Sequence, residues 1–192
     1  MRRAAKALIL VTTIATISTP ALARAEGYVS PWVSANGGSN FDNGRAGFGV
    51  NAGGMGKGII GGEVDFGWSP SFFGTTSDFG NNSVIDLMGN LIVGVPIGGT
   101  HGAGLRPFVT GGVGLLRTQL DGGSFVNVSS SDNMVGWNAG AGLMGYFNDH
   151  VGLRGDVKYL RAFEDPSTGI PFIDNNAGQF HYWRAAVGIV IR

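Results

Sequence analysis

The sequence contains no cysteine in 192 residues. A disulfide framework, a thiolate metal site and a cysteine nucleophile are therefore excluded. Charge is sparse and balanced, with 13 Asp and Glu against 13 Lys and Arg. After residue 25 no segment of helix length carries an apolar period of 3.6 residues. The acids show no calcium-loop spacing. Histidine is limited to three positions, His101, His150 and His181.

Glycine is abundant instead: 35 residues, about 18% against a usual ~7%. In NAGAGLMGYF, residues 138–147, Gly140, Gly142 and Gly145 match the G-x-G-x-x-G spacing that seats a dinucleotide on a helix N-terminus. Gly47, Gly49 and Ala52 match its alanine form. Two hits in so glycine-rich a chain are chance matches. The first lies within an alternating apolar pattern and has no helix behind it, so nucleotide binding is rejected.

The N-terminus has its own composition. Arg2, Arg3 and Lys6 precede the apolar run ALILVTTIATIS, and Ala21-Leu22-Ala23 and Ala23-Arg24-Ala25 both offer a small-x-small cleavage site. The run is too short and too rich in Thr for a membrane-spanning helix. Residues 1–25 are thus expected to be a cleavable secretory signal, cut near residues 23–26, with a single domain over 26–192. Arg2, Arg3, Lys6 and Arg24 leave with the signal, which gives the mature chain a charge of about −4 and makes nucleic acid an improbable partner.

Beyond residue 25 the recurring pattern has period two, the mark of a strand. Ala46, Phe48, Val50 and Ala52 alternate with Arg45, Gly47, Gly49 and Asn51. Ile60, Val64, Phe66 and Trp68 share one face and Glu63 and Asp65 the other. Val135, Trp137, Ala139, Ala141, Leu143 and Phe147 form a third such face. The pattern predicts eight strands, near 27–35, 45–54, 58–68, 83–95, 105–117, 134–147, 150–163 and 179–192. The first, third, fifth and seventh connectors are long, MGK and ND are tight, and PIGGTHGAG is intermediate. Long loops on one side and short turns on the other are the asymmetry of bacterial outer-membrane barrels.

Face chemistry separates that reading from a soluble barrel with an apolar inside. Val151, Leu153, Gly155, Val157 and Tyr159 oppose Arg154, Asp156 and Lys158. Trp183, Ala185, Val187, Ile189 and Ile191 oppose Tyr182, Arg184, Ala186 and Gly188. Ile85, Leu87, Leu91, Val93 and Val95 oppose Asp86, Met88 and Asn90. The polar faces carry charges of both signs, Glu63, Asp65, Asp86 and Asp156 against Arg106, Arg154, Lys158 and Arg184, and many glycines. Glycine on a water-facing sheet only weakens the strand. Inside a narrow barrel it frees volume in which long charged side chains cross the axis and pair. The expected fold is all-β: an eight-stranded antiparallel up-and-down transmembrane barrel with a charge-plugged lumen. Tyr28, Trp32, Trp68, Trp137, Tyr159 and Trp183 are expected in its interfacial aromatic girdles.

The stretches WVSANGG, GGEVDFGWSPSFFG, LMGNLIVGVPIG, RPFVTGGVGLLRT, VGWNAGAGLMGYFNDHVGLRGDVKYLRAF and YWRAAVGIVIR cover most of residues 27–192. Together they resemble the small eight-stranded outer-membrane β-barrel domains of the broad OmpA-like group. The resemblance implies a Gram-negative outer-membrane location, insertion by the barrel-assembly machinery, and contact with outer-membrane lipid and lipopolysaccharide. That machinery recognises a last strand with outward apolar alternation and usually a terminal aromatic. Trp183, Ala185, Val187, Ile189 and Ile191 keep the alternation, but the chain stops at Arg192. The departure bears on assembly efficiency.

A few such barrels modify lipid A, which needs a Ser nucleophile, a His base and an orienting acid together on the outer surface. His101 and His150 fall in short turns without a neighbouring Ser, and His181 has Tyr182 and Arg184 beside it. No catalytic set, metal site or cofactor site emerges, and His181 suits a girdle. The long loops carry Asp42, Asp78, Asp121, Asp132, Glu164, Asp165 and Asp174 with Phe72, Phe73, Phe125 and Phe172. The sequence therefore points to a monomeric, non-enzymatic structural barrel, porin-like in build, whose surface loops serve adhesion or envelope integrity. A small porin-like channel and a lipid-A-modifying enzyme are the alternatives.

Overall fold

The computed structural model describes residues 26–38, 41–72, 81–121, 129–163 and 180–192. The expected signal, 1–25, lies outside them, as do Phe73, Asp78, Phe125, Glu164, Asp165, Phe172 and Asp174. The side chains of Asp42, Asp121 and Asp132 are likewise outside.

Eight strands are formed: β1 Glu26–Gly38, β2 Phe41–Gly56, β3 Ile60–Pro70, β4 Asn81–Gly94, β5 Gly104–Asp121, β6 Ser129–Tyr146, β7 Val151–Ala162 and β8 His181–Ile191. Each pairs antiparallel with its neighbours in sequence, and β8 closes on β1, so the sheet is a barrel without edges. Backbone donors and acceptors are then satisfied between strands, which is what allows a sheet to stand in hydrocarbon. Following one line of pairs from Gly27 through Gly54, Gly62, Leu91, Gly111, Ala139, Tyr159 and Trp183 returns to β1 at Gly37. The line climbs toward the long-loop rim as it circles, the stagger that accompanies strand tilt.

Several strands run past the spans their alternation predicts. β5 and β6 stay paired as far as Asp121 and Ser129. Apolar alternation stops where lipid stops, whereas the hydrogen-bond ladder continues into water. The expected long first connector, NGGSNFDNG, is largely strand: Gly38 already pairs with Phe41 after a register shift near Asn36. The turn after β2 bends through Lys57 and Gly58, both with positive φ. Phe147 to His150 join β6 to β7, with the Asn148 side chain accepting from the His150 and Val151 amides at 2.8 and 2.9 Å. The glycine fingerprint at Gly140, Gly142 and Gly145 lies inside β6.

The outer wall is apolar. Val64, Phe66, Leu91, Val109, Val113, Val135, Leu143, Leu153, Val157, Val187 and Ile189 are all exposed, and the buried residues of the same strands include Glu63, Asp65, Asn90, Arg154, Lys158 and Arg184. That inversion suits a barrel with lipid outside.

Candidate functional site

The interior is where the polar residues converge. β3 and β7 stand on opposite sides of the ring, so a contact between them crosses the axis. Arg154 of β7 makes one, bonding both oxygens of Glu63 through its two terminal nitrogens, with Nη2 at 3.2 Å from Oε1. Its Nε donates to Asp156 Oδ2 at 2.8 Å. Lys158 Nζ reaches Glu63 Oε1 at 3.2 Å and Asp65 Oδ2 at 2.7 Å. Arg184 of β8 binds Asp65 through Nη2 and Asp86 of β4 through Nη1, the latter at 2.8 Å. Seven charges thus form one alternating ladder, Asp156–Arg154–Glu63–Lys158–Asp65–Arg184–Asp86. Each cation touches two carboxylates, the arrangement a buried ion requires.

Aromatic side chains complete the ladder. Tyr28 OH donates to Glu63 Oε2 at 2.6 Å and Tyr182 OH to Asp86 Oδ2 at 3.2 Å. The Arg184 guanidinium lies 4.5 Å from the Trp32 ring centre and that of Arg154 4.7 Å from Phe108, within cation–π range. Glycine makes the room. A Cβ on Gly67 would collide with the Asp86 carboxylate and the Arg184 guanidinium, and one on Gly49 with the Phe66 carbonyl oxygen and the Trp32 ring. At Gly112, Gly140 and Gly188 the nearest atom is a neighbouring strand's carbonyl oxygen, so the inward glycines serve both the crossing side chains and the close approach of the strands themselves.

Of the eight charges expected in the lumen, Arg106 stands apart. It is buried at the short-turn end, where Nη2 bonds Glu26 Oε2 at 2.9 Å. Arg192 joins that pair, 3.6 Å from the same oxygen and over the Tyr146 ring. Glu26 and Arg192 were missed because both lie at the very ends of the strand pattern, where no alternation assigns a face.

The aromatic girdle also needs correction. Trp68 and Trp183 are exposed and Trp137 and Tyr159 half-buried on the outer wall, but Tyr28 and Trp32 are only 4% and 5% exposed and point inward. Register decides this: Trp32 pairs with Gly49, whose face is the lumen, while Val29 and Val33 take the lipid side. His181 is half-buried beside Tyr159, ring centres 5.7 Å apart. His101 and His150 sit exposed at the short-turn end, His101 near Asp149. Among the described residues no group of three His, Cys, Asp or Glu is placed to hold a metal.

Two apolar layers, also missed, enclose the ladder. Toward the long loops Phe72, Val84, Met88, Leu116, Met134, Leu160, Ala162 and Tyr182 pack together, with Phe180 against them. Toward the short turns Tyr28, Met55, Ile92, Phe108, Met144, Tyr146 and Val190 do the same. Met55, Met88, Met134 and Met144 are every methionine after the first residue, and all four point inward. Flexible thioethers fill the irregular gaps between charged and aromatic groups.

A closed eight-stranded wall, apolar outside and charged within, defines an outer-membrane barrel. The chain belongs to the outer membrane protein beta-barrel domain family, which it matches over residues 8–189, and it is a protein of the bacterial outer membrane. No curated protein sequence matches it. Solved structures that share the fold at low identity include the following three. Neisserial surface protein A is 13% identical, covers 87% of this chain and 97% of its own, and superposes with a TM-score of 0.65. The N-terminal barrel of Pseudomonas aeruginosa OprF is 14% identical, with 87% and 98% covered and a TM-score of 0.56. Yersinia pestis Ail, the attachment invasion locus protein, crystallised with the heparin analogue sucrose octasulfate, is 12% identical, with 87% and 99% covered and a TM-score of 0.54.

Proposed function

We propose that this is a monomeric structural barrel of the Gram-negative envelope with a sealed lumen, acting through its surface loops in adhesion or envelope integrity. The observation that carries this reading is the buried ion ladder held between two apolar layers. A permeating ion would have to break paired charges in a low-dielectric tube and then cross packed Met, Phe and Leu. In planar bilayers the purified protein is expected to give no steady conductance of pore size. Steady, large conductance from the monomer would replace this reading with the small porin-like channel.

Loop chemistry narrows the adhesion partner. Segments 36–44, 71–80, 118–133 and 162–180 hold no Lys or Arg, and they carry all seven acids named above. A cationic partner suits them. A polyanion such as the heparin analogue bound to the Yersinia protein does not. Export with cleavage near residues 23–26, insertion by the barrel-assembly machinery and contact with lipopolysaccharide belong to the same proposal.

The proposal includes no enzymatic activity. The outward His181 is flanked on its own strand by Trp183 and packs on Tyr159, with no serine nucleophile beside it on β8. Incubation with lipid A is expected to leave its mass unchanged, and loss of an acyl chain that depends on His181 would overturn the non-enzymatic assignment.

A further inference from the structure

The two ends of the barrel differ in charge. The long-loop segments carry acids and no Lys or Arg. At the short-turn end, segments 26–28, 54–61, 93–106, 145–152 and 190–192 hold Lys57, Arg106 and Arg192 against Glu26 and Asp149. Asp149 is turned to its own neighbours: its Oδ1 accepts from the Gly102 amide and lies 3.9 Å from His101 Nδ1. Among the described residues Glu26 is therefore the one carboxylate that either arginine reaches.

Arg106 Nη2 and Arg192 Nη1 approach the same oxygen of Glu26, at 2.9 and 3.6 Å. Both guanidiniums also lie over the Tyr146 ring, 5.4 and 3.3 Å from its centre. Two cations thus share one carboxylate and one ring. The mid-barrel ladder has the opposite balance, three cations against four carboxylates. Donors are in excess as well as charge: Arg106 Nε and Arg192 Nε are both buried without a hydrogen-bond partner. An N–H left in that state costs free energy until an acceptor reaches it. The turns hold the pair in place. Lys57 and Gly58, both with positive φ, bring the Gly58 backbone against the Arg106 guanidinium and leave Lys57 exposed. From the other side the Arg192 amide donates to the His150 carbonyl at 2.9 Å, and Nη1 to that of Thr100.

The geometry points to a carboxylate-binding site at the short-turn mouth, in which Arg106 and Arg192 take an acidic group of a peptide beside Glu26, with Lys57 at the entrance. A guanidinium fork matches a carboxylate in shape and charge. Glu26 shows the chemistry already, as a tethered carboxylate held by both arginines. A second one supplies the single negative charge that the pair lacks, where a doubly charged phosphate would overshoot. Access is from the open end, since the Glu26 side chain is 23% and that of Arg192 10% exposed. Short turns face the periplasm in outer-membrane barrels, so the partner is a periplasmic peptide, presenting either an acidic side chain or a chain end. The site is independent of what the long loops bind and of whether the lumen conducts.

Titration of the full barrel in lipid nanodiscs tests this, read from the Nε–H NMR signals of Arg106 and Arg192. The probes are Gly-Glu-Gly blocked at both ends, triglycine with a blocked amine and a free carboxylate, fully blocked Gly-Gln-Gly, and inorganic phosphate. At least one carboxylate peptide is expected to shift both signals saturably, and the neutral peptide neither. Which of the two binds more tightly assigns the side chain or the chain end as the source. Arg192→Gln, read from Arg106, should weaken binding about tenfold, the scale of a hydrogen bond to a charged group. Glu26→Gln, which removes the tethered competitor, should tighten it by about the same factor. A cluster with a purely structural role gives no such gain. Heat-modifiable migration on gels confirms that each variant is folded, and the wild-type titration needs no variant. Absence of a saturable shift with either carboxylate peptide overturns the site, as does an equal response to the neutral one. Phosphate binding as tight as that of the peptides, or a folded Glu26→Gln variant without a gain, overturns it too.

Discussion

Arg154→Ala is expected to lower the unfolding free energy of the barrel by about 3–5 kcal/mol, the range for removing one partner of a buried ion pair. Arg154 is 1% exposed and serves Glu63 and Asp156 at once, so its loss leaves two buried carboxylates short of a cation. Glu63 keeps Lys158 and the Tyr28 hydroxyl. Asp156 has no other ion pair among the described residues, so it carries most of the penalty. The deleted side chain also leaves space beside Phe108, into which water can move and soften the loss. Urea titration in lipid vesicles measures the effect. Arg154→Ala combined with Asp156→Asn should recover part of the stability, because the second change removes the stranded charge. A loss under about 1 kcal/mol, the value of an exposed pair, would mean that the ladder is solvated, and the sealed-lumen reading would fall with it.

The faces of the barrel were legible because a strand in lipid has only two environments, and a period of two assigns each residue to one of them. Val157 and Lys158 are neighbours in sequence, yet one is half exposed to the membrane and the other wholly buried. Tyr28 and Trp32 were not legible that way. In β1 both parities carry large apolar residues, Tyr28 and Trp32 on one and Val29 and Val33 on the other, so pattern alone leaves the face open. A signal did exist in β2. Gly47 and Gly49 share the inward face with Asn51, and glycines there require bulky partners opposite, which Trp32 supplies. The apolar layers were hidden for a related reason. Met55, Leu116, Met134, Met144 and Leu160 lie on the inward parity, but a hydrophobic residue near a strand end is equally at home in a plug or at an interface. Only the closing of the ring brings the four strands that hold them, β2, β5, β6 and β7, around one axis. The ladder itself was legible as a set of inward charges and not as a set of pairs. That Arg184 joins Asp65 to Asp86, while Arg106 is drawn away to Glu26, depends on the stagger of the barrel, and the stagger comes from all eight pairings together.

Stagger and parity also set the cost of a charge on the outer wall. Val157→Arg is expected to lower bilayer stability by about 2–4 kcal/mol, the cost of a lipid-facing Arg near the midplane. The side chain is 49% exposed and pairs across the ladder with Ala141 and Ala185, neither of which offers an ion partner. Four residues toward the rim on the same face, Arg161 is native. There the guanidinium reaches the headgroup region, where the cost falls to ~0–1 kcal/mol. Phe163→Arg, beyond Arg161, should therefore change stability little. Leu143→Arg, on the neighbouring strand and also outward, should behave like Val157→Arg. The contrast between depths is what makes the measurement decisive. A general loss of packing would make Val157→Arg and Phe163→Arg similar, whereas burial in hydrocarbon separates them. Tolerance of Arg at both Val157 and Leu143 in lipid vesicles would mean that this face does not meet the membrane.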